Sequence, residues 1–303
     1  MLFTPLKPML LTIHLHVDLE DPRYVYQCKM DGYRALLHKG GDRIEIYTRH
    51  GNKVTEKFPE IVKAARQMKA DEAILDGELV VFSDQRPVFD HVRNRGLLSD
   101  PGSIQQAVKK YPATFAAFDV LYINGNEHLK EPLLERLNRL EDLINPSNSL
   151  ITVPHFEDGQ SLYDWTQKHH WEGLVCKEKN SRYHLNARSG EWIKVKHWRT
   201  LDCVILGYKL KPFGMVVGAH FKTVENKPLA LVERGFHPEE IEAFLAVAGQ
   251  IHTWKDRTGI QWIEPRLCCK VKYLDRTENH QLRMVQFEHF LIDHHPAACQ
   301  WVS

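Results

Sequence analysis

The sequence predicts an α+β chain in two domains, a mixed domain over residues 1–199 followed by a small β-barrel over residues 200–303. Three observations lead there. Before about Trp198, strand-like runs alternate with helices, whereas beyond Asp202 strand-like runs dominate. At 303 residues and 43% hydrophobic content, the chain can bury one large core or two ordinary ones. No internal repeat, low-complexity tract or long linker interrupts it.

In chain order, Tyr24-Val25-Tyr26-Gln27-Cys28 is rich in aromatic and branched residues and reads as a strand, as do Arg43 to Thr48 and Ile74 to Phe82. Pro59 to Ala70 and Pro132 to Ile144 read as helices opened by proline in the first turn. In the second of these, Leu133, Leu137, Leu140 and Ile144 recur at three- and four-residue steps, an ordinary buried face. Ser99-Asp100-Pro101-Gly102-Ser103 and Asn145-Pro146-Ser147-Asn148-Ser149 read as loop punctuation. Strands follow at Cys203 to Leu210, Met215 to Val224, Leu229 to Arg234, Arg266 to Leu274 and Leu282 to Phe287, with one helix from about Pro238 to Ala248. Five strands with a helix between the third and fourth match a Greek-key barrel of the oligonucleotide-binding (OB) type. An SH3-like barrel is the alternative.

Composition excludes several classes. No stretch approaches the roughly 20 apolar residues of a membrane span. The first sixteen residues carry Pro5, Pro8, His14 and His16 with only Lys7 positive, which argues against a signal peptide. Six cysteines without a Cys-x-x-Cys pair argue against a zinc ribbon or a secreted disulfide framework, so a reducing cytoplasm is expected. The histidine pairs His169-His170 and His294-His295 read as structural rather than metal-binding, and the seven tryptophans as core or interface, with Trp192 packing behind its strand. Net charge is only +1, yet residues 182–227 hold nine Lys or Arg against three acids. Such a cluster suits a phosphate backbone. A solvated face of a mixed-charge sheet is the bland reading.

The most informative segment is Lys29-Met30-Asp31-Gly32-Tyr33-Arg34, directly after the first strand. A strand-end lysine beside a glycine that lets backbone approach a ligand suits an amine aimed at a phosphate. The amine attacks only when neutral, and a free lysine titrates near ~10.4, so burial or nearby cations must lower its pKa. A solvated strand end with weak ion pairs is the alternative.

Lys-x-Asp-Gly-x-Arg resembles the first signature of the covalent nucleotidyltransferases: DNA ligases, RNA ligases and mRNA capping enzymes. Further signatures come after it in family order. Asp76-Gly77-Glu78-Leu79-Val80 looks like the ribose-contacting segment, and Phe115 to Tyr122 resembles the strand whose aromatic residue, here Phe118, stacks on adenine. Glu172-Gly173-Leu174-Val175-Cys176-Lys177 matches Glu-Gly-x-x-x-Lys, and Trp192-Ile193-Lys194-Val195-Lys196 matches the lysine-bearing signature that meets the α-phosphate. Leu282 to Phe287 sits where an arginine-bearing segment, here with Arg283, orients pyrophosphate. The resemblance covers nearly the whole chain, including the opening Pro5 to Leu10. It is closest to small bacterial ATP-dependent DNA ligases and the ligase domains of end-joining repair proteins.

That resemblance implies an ATP-grasp-like nucleotidyltransferase (adenylation) domain before the OB barrel, with ATP and Mg²⁺ or Mn²⁺ as cofactors. Lys29 and Asp31 would be catalytic. Gln27, Lys29, Arg34, Arg49, Glu78, Phe118, Arg188, Lys194, Lys196 and Arg283 would bind the nucleotide or the 5′-phosphate, Glu172 and Glu78 the metal, and Lys209, Lys211 and Lys222 DNA. Lys194 and Lys196, two apart on a strand, share a face and would lower the pKa of Lys29 by like-charge repulsion. The implied reaction forms lysyl-AMP, passes AMP to the 5′-phosphate of nicked duplex DNA and seals the strand. The barrel would swing between nucleotide and DNA. The expected partners are DNA and repair or end-joining proteins, with the chain a monomer in the cytoplasm at the nucleoid. No room is left for an N-terminal DNA-encircling domain, or for the extra domain and zinc module of NAD-dependent ligases. The alternatives are an RNA ligase or other polynucleotide-joining enzyme and, from another class, a non-catalytic nucleic-acid-binding OB protein.

Overall fold

The computed structural model describes residues 1–14, 17–277 and 279–301; His16 and the side chain of Asp275 fall outside the described part. The chain divides into two compact units, Met1–Lys196 and His197–Ser303. Among the described residues, no helix is long and apolar enough to cross a membrane.

The first unit holds two sheets. One has the order Leu10–Ile13, Arg188–Lys196, Gly173–Glu178, Tyr24–Cys28 and His155–Phe156, antiparallel except for its first pair. The other runs Arg43–Thr48, Tyr33–Gly40, Glu72–Ser83, Ala113–Ile123 and Asn126–Glu127, with Leu150–Thr152 parallel to Ala113–Ile123. Side chains alternate across a strand. One face of the first sheet therefore packs Tyr26, Leu174, Cys176 and Ile193 on Leu162 of helix Gly159–Lys168. The opposite face supplies Val25 and Trp192 to a cluster shared with Leu36, Ile74 and Leu121 of the second sheet. The far face of the second sheet carries the largest cluster, including Leu37, Leu75 and Val120 against Ile61 and Leu140 of two helices. Both sheets thus turn a face to one interior layer, and that layer holds the chemistry.

Local chemistry also explains where the elements differ from expectation. The punctuation at Ser99 to Ser103 opens a helix, Pro101–Lys110: Asp100 Oδ2 accepts from the Ser103 N–H at 2.7 Å and proline occupies the first turn. Helices Phe89–Leu97 and Gly159–Lys168 add to the two expected in this unit. The helix at Pro59 is shorter than its sequence pattern suggests, ending at Ala65.

In the second unit the sheet order is Lys227–Val232, Phe213–Ala219, Arg199–Leu210, Gln261–Tyr273 and His252–Lys255, with Gln286–Leu291 also on Gln261–Tyr273. All these pairs are antiparallel. Helix Pro238–Ala248 follows Lys227–Val232 and buries Phe244 against Tyr208. The strand expected over Leu282 to Phe287 is split into Leu282–Arg283 and Gln286–Leu291. Met284 between them has φ +56°, a left-handed conformation that ends extended pairing.

Candidate active site

Lys29 leaves the Tyr24–Cys28 strand at the interior layer because Val25, Gln27 and Lys29 share one side of it. Its backbone N–H donates to the Gly173 carbonyl at 2.9 Å, which sets Glu172 beside it. Gly173 must be glycine: its φ is +138°, and a Cβ would lie 2.1 Å from the Val195 oxygen. On the facing strand Trp192, Lys194 and Lys196 also share a side, so Trp192 stands on the lysine face rather than behind it. It is fully buried. Gly32 serves strand approach, since a Cβ there would sit 2.1 Å from the Leu79 oxygen. Glycine here lets the Lys29–Gly32 segment pack against Glu72–Ser83.

The two lysines share one carboxylate. Lys29 Nζ is 2.7 Å from Glu172 Oε2, and Lys196 Nζ pairs with Glu172 Oε1. Although burial pushes the Glu172 carboxyl up, the Lys29 and Lys196 ammoniums hold it at about 2. Burial pulls the Lys29 amine down, but Glu172, Glu78 and Asp31 together leave it above the usual lysine value. This corrects the expected lowering by Lys194 and Lys196, because Glu172 lies between cations that would otherwise repel. Glu78, two residues beyond Asp76 on its strand, is pushed up to about 8 by burial despite Lys29 and Arg34 nearby.

Toward the back of the layer, Arg34 grips Asp76 with both arms, Nε to Oδ1 at 2.9 Å and Nη2 to Oδ2 at 2.6 Å. Its guanidinium also lies 4.9 Å from the centre of the Phe118 ring. Lys177, only 2% exposed, donates to the Phe118 carbonyl at 3.1 Å and stands 3.9 Å from the Trp192 ring centre. Burial brings its amine down to about 7. Gln27 is buried, donates through Nε2 to the Val153 carbonyl at 2.8 Å, and leaves Oε1 shielded and without a partner.

Other expected residues are placed differently. Arg49 is exposed, its backbone N–H on the Arg34 carbonyl and its Nε 3.4 Å from His50. Arg188 is exposed and donates to the Leu11 carbonyl. Neither contacts Lys29. In the second unit Arg283 is exposed, paired through its backbone with Asp275. Lys209 and Lys211 lie at one end of strand Phe213–Ala219 and Lys222 beyond the other. The sequence pattern gives no role to Tyr183, whose hydroxyl meets Asp76 Oδ2 at 2.6 Å. No local signal joins residues 107 apart.

A strand-end amine held by a carboxylate that a second lysine shares, near an aromatic ring packed on an arginine, is the arrangement expected of a covalent nucleotidyltransferase. The family model for the ATP dependent DNA ligase domain matches residues 8–196, and the chain belongs to that family. It is 29% identical over 315 residues to the multifunctional non-homologous end joining protein LigD of Mycobacterium bovis, covering 97% of this chain but 40% of that protein. The SPbeta prophage-derived DNA ligase-like protein LigB of Bacillus subtilis is 30% identical over 285 residues, covering 93% of this chain and 97% of LigB. Among solved structures, the ligase domain of Mycobacterium tuberculosis LigD superposes with TM-score 0.57 and 25% identity over 98% of both chains. A mycobacterial DNA ligase D complexed with ATP and MES matches with TM-score 0.56 and 25% identity over 99% of both.

Proposed function

We propose that this chain is an ATP-dependent DNA ligase that seals nicks in duplex DNA through AMP carried on Lys29. The single observation that carries the reading is the Lys29–Glu172–Lys196 triad beside the unpartnered Gln27 Oε1. Adenine carries an exocyclic amine donor, and Gln27 Oε1 is a buried acceptor without one; leaving it unmade costs about 1–3 kcal/mol. Phe118 supplies the face on which the base stacks. The Arg34 guanidinium lies 4.9 Å and the Lys177 amine 4.3 Å from its ring centre.

Lys29 Nζ attacks the α-phosphorus, the bond to pyrophosphate breaks, and AMP remains on the amine. In the ligand-free chain that amine is an ammonium, so proton loss is part of the step. Lys196 and Lys194 place positive charge where phosphate oxygens gather it, and such transfer asks the protein mainly for positioning and charge stabilisation. While Lys196 shares Glu172, its positive charge offsets part of that carboxylate's hold on the Lys29 proton. Arg34, with Nε and Nη2 on Asp76, offers Nη1 to the nucleotide. In the later steps AMP passes to a 5′-phosphate and the adjoining 3′-hydroxyl displaces it, with Asp31 beside the reacting groups.

A divalent cation fits this site. Glu78 is a carboxyl whose charge burial suppresses, and a nearby cation would restore it. Mg²⁺ or Mn²⁺ asks for only one or two protein carboxylates beside phosphate oxygens and water, and Glu172 and Glu78 would supply them. When bound, it would neutralise phosphate charge. The raised Glu78 pKa also makes a prediction. The folded chain holds that proton up to about pH 8, whereas an unfolded glutamate releases it near ~4.3, so stability falls as pH rises through this window. At pH 8.5, Glu78→Gln should melt several degrees above the parent protein in the absence of metal while losing adenylation; an equal or lower melting point would contradict a suppressed carboxylate.

For the second unit we propose an OB-fold domain from residue 200 that binds nicked duplex DNA through Lys209, Lys211 and Lys222, with Arg283 directed to pyrophosphate. The antiparallel order and the helix between the third strand and the Gln261–Tyr273 strand support this. Because the chain spans 40% of LigD, a role in end joining with repair partners rests on likeness alone. Binding to a nicked duplex should weaken with salt, with a log–log slope reduced in Lys209→Gln/Lys211→Gln; a slope near zero would remove these lysines from the phosphates. The function itself is tested by sealing a nicked DNA duplex with ATP in parallel with a nicked RNA duplex. Sealing of DNA supports the reading. Sealing confined to RNA would make the chain an RNA ligase.

A further inference from the structure

Tyr183 lies between the Gly173–Glu178 and Arg188–Lys196 strands, in none of the segments that carry the signature residues. It is 3% exposed. Its hydroxyl donates to Asp76 Oδ2 at 2.6 Å and accepts the Met9 backbone N–H at 3.1 Å. Asp76, wholly buried, also accepts from both arms of Arg34. The ring is held as firmly as the hydroxyl. It meets Trp192 edge-on at 5.8 Å and lies under the Arg136 guanidinium at 5.9 Å. Met9 is itself fixed, since the His184 N–H points to its sulfur and the adjoining Leu10 N–H donates to the Ala187 carbonyl.

A carboxylate with one partner can rotate about its Cβ–Cγ bond. One that must meet a rigid hydroxyl on one oxygen and a guanidinium on both cannot. The orientation of the Arg34 fork is thereby set from the far side of Asp76, and with it the direction of Nη1 and the packing of the guanidinium on Phe118. We propose that Tyr183 is a positioning residue for nucleotidyl transfer, acting through Asp76 to hold Arg34 in the orientation that meets the nucleotide. This rests on the nucleotide-binding reading of the site given above. Tyr183 does not touch substrate, and its effect exists only while Arg34 is an arginine.

That dependence makes the test. Tyr183→Phe keeps the ring and removes only the hydroxyl. Lys29 adenylation is followed with labelled ATP in the full chain for the parent, Tyr183→Phe, Arg34→Lys and the double variant, with thermal melts of each. A lysine in place of Arg34 keeps the charge but cannot make the two-armed contact. The expected result is a loss of about 10-fold in adenylation efficiency for Tyr183→Phe, and less than a further twofold when it is added to Arg34→Lys. Asp76→Asn provides a second background, in which Tyr183→Phe should again add little. Equal losses from Tyr183→Phe in all backgrounds, or none in the parent, would overturn the proposal while leaving lysyl adenylation intact. If the parent protein took up no label at all, the reading of the site would fail and this proposal with it.

Discussion

Lys29→Ala is expected to lower nick sealing by about 10⁴-fold or more, because the nucleophile of a covalent mechanism has no substitute in the site. Lys29→Arg should fail as completely, since a guanidinium stays protonated near neutral pH and cannot attack. Lys196, the amine that shares Glu172 with it, faces the site from another strand. The discriminating assay supplies a nicked duplex already carrying AMP on its 5′-phosphate. Because the last step does not use the Lys29 amine as nucleophile, both variants should retain much of that closure. If Lys29→Ala sealed ordinary nicks at the parental rate with ATP, covalent catalysis through this residue would be wrong. The pH profile adds a sign. With its pKa held above the usual value by Glu172, the ligand-free amine should stay protected from amine-directed reagents to higher pH than an exposed lysine, and Glu172→Gln should bring its labelling to lower pH.

The second large effect concerns stability. Asp119 and Arg136 are both fully buried and joined by two contacts of 2.8 and 2.9 Å. Arg136 also donates to the Glu131 and Ser181 carbonyls, at 2.6 and 2.9 Å, so one guanidinium ties helix Leu133–Leu143 to the Ala113–Ile123 strand and to the turn after Gly173–Glu178. Removing one partner of a buried pair leaves an uncompensated charge and costs about 3–5 kcal/mol. Asp119→Ala should therefore lower the melting point by about 10 °C, given the few degrees per kcal/mol expected at this size. The double change Asp119→Leu/Arg136→Met should recover much of that loss, because neither charge remains buried. Function should suffer in the single variant even below its melting point. Ser181 Oγ accepts from Trp192 Nε1 at 3.1 Å, and Trp192 forms the floor beneath Phe118, so a loosened Ser181 should raise the KM for ATP. A melting point within about 2–3 °C of the parent would show that Arg136 finds other compensation.

The legible part of the sequence rests on period and on local chemistry. Alternation along Tyr24–Cys28 and Trp192–Lys196 puts Gln27 with Lys29 and Lys194 with Lys196, and the two strands turn those sides to the same interior layer. Proline at a helix start locates Pro59, Leu133 and Pro238 to within a residue. The helix at Pro101 is hidden because Asp-Pro-Gly-Ser is also good turn chemistry, and only the residues beyond Ser103 decide between turn and cap. The break at Met284 leaves no trace in a hydrophobic-polar pattern that reads as one strand. Charge states are beyond reach for a different reason. Placing Lys194 and Lys196 beside Lys29 predicts a lowered pKa; the folded arrangement inserts Glu172 among them and reverses the sign. The Tyr183–Asp76–Arg34 chain is invisible because it spans three separate segments whose spacing carries no information.

The most direct measurement incubates the chain, freed of any bound AMP, with Mg²⁺ and α-labelled ATP, maps the labelled peptide, and then adds nicked duplex DNA. One AMP is expected on the peptide containing Lys29, discharged as the nick closes. Label on another residue, or none on competent folded protein, would contradict it.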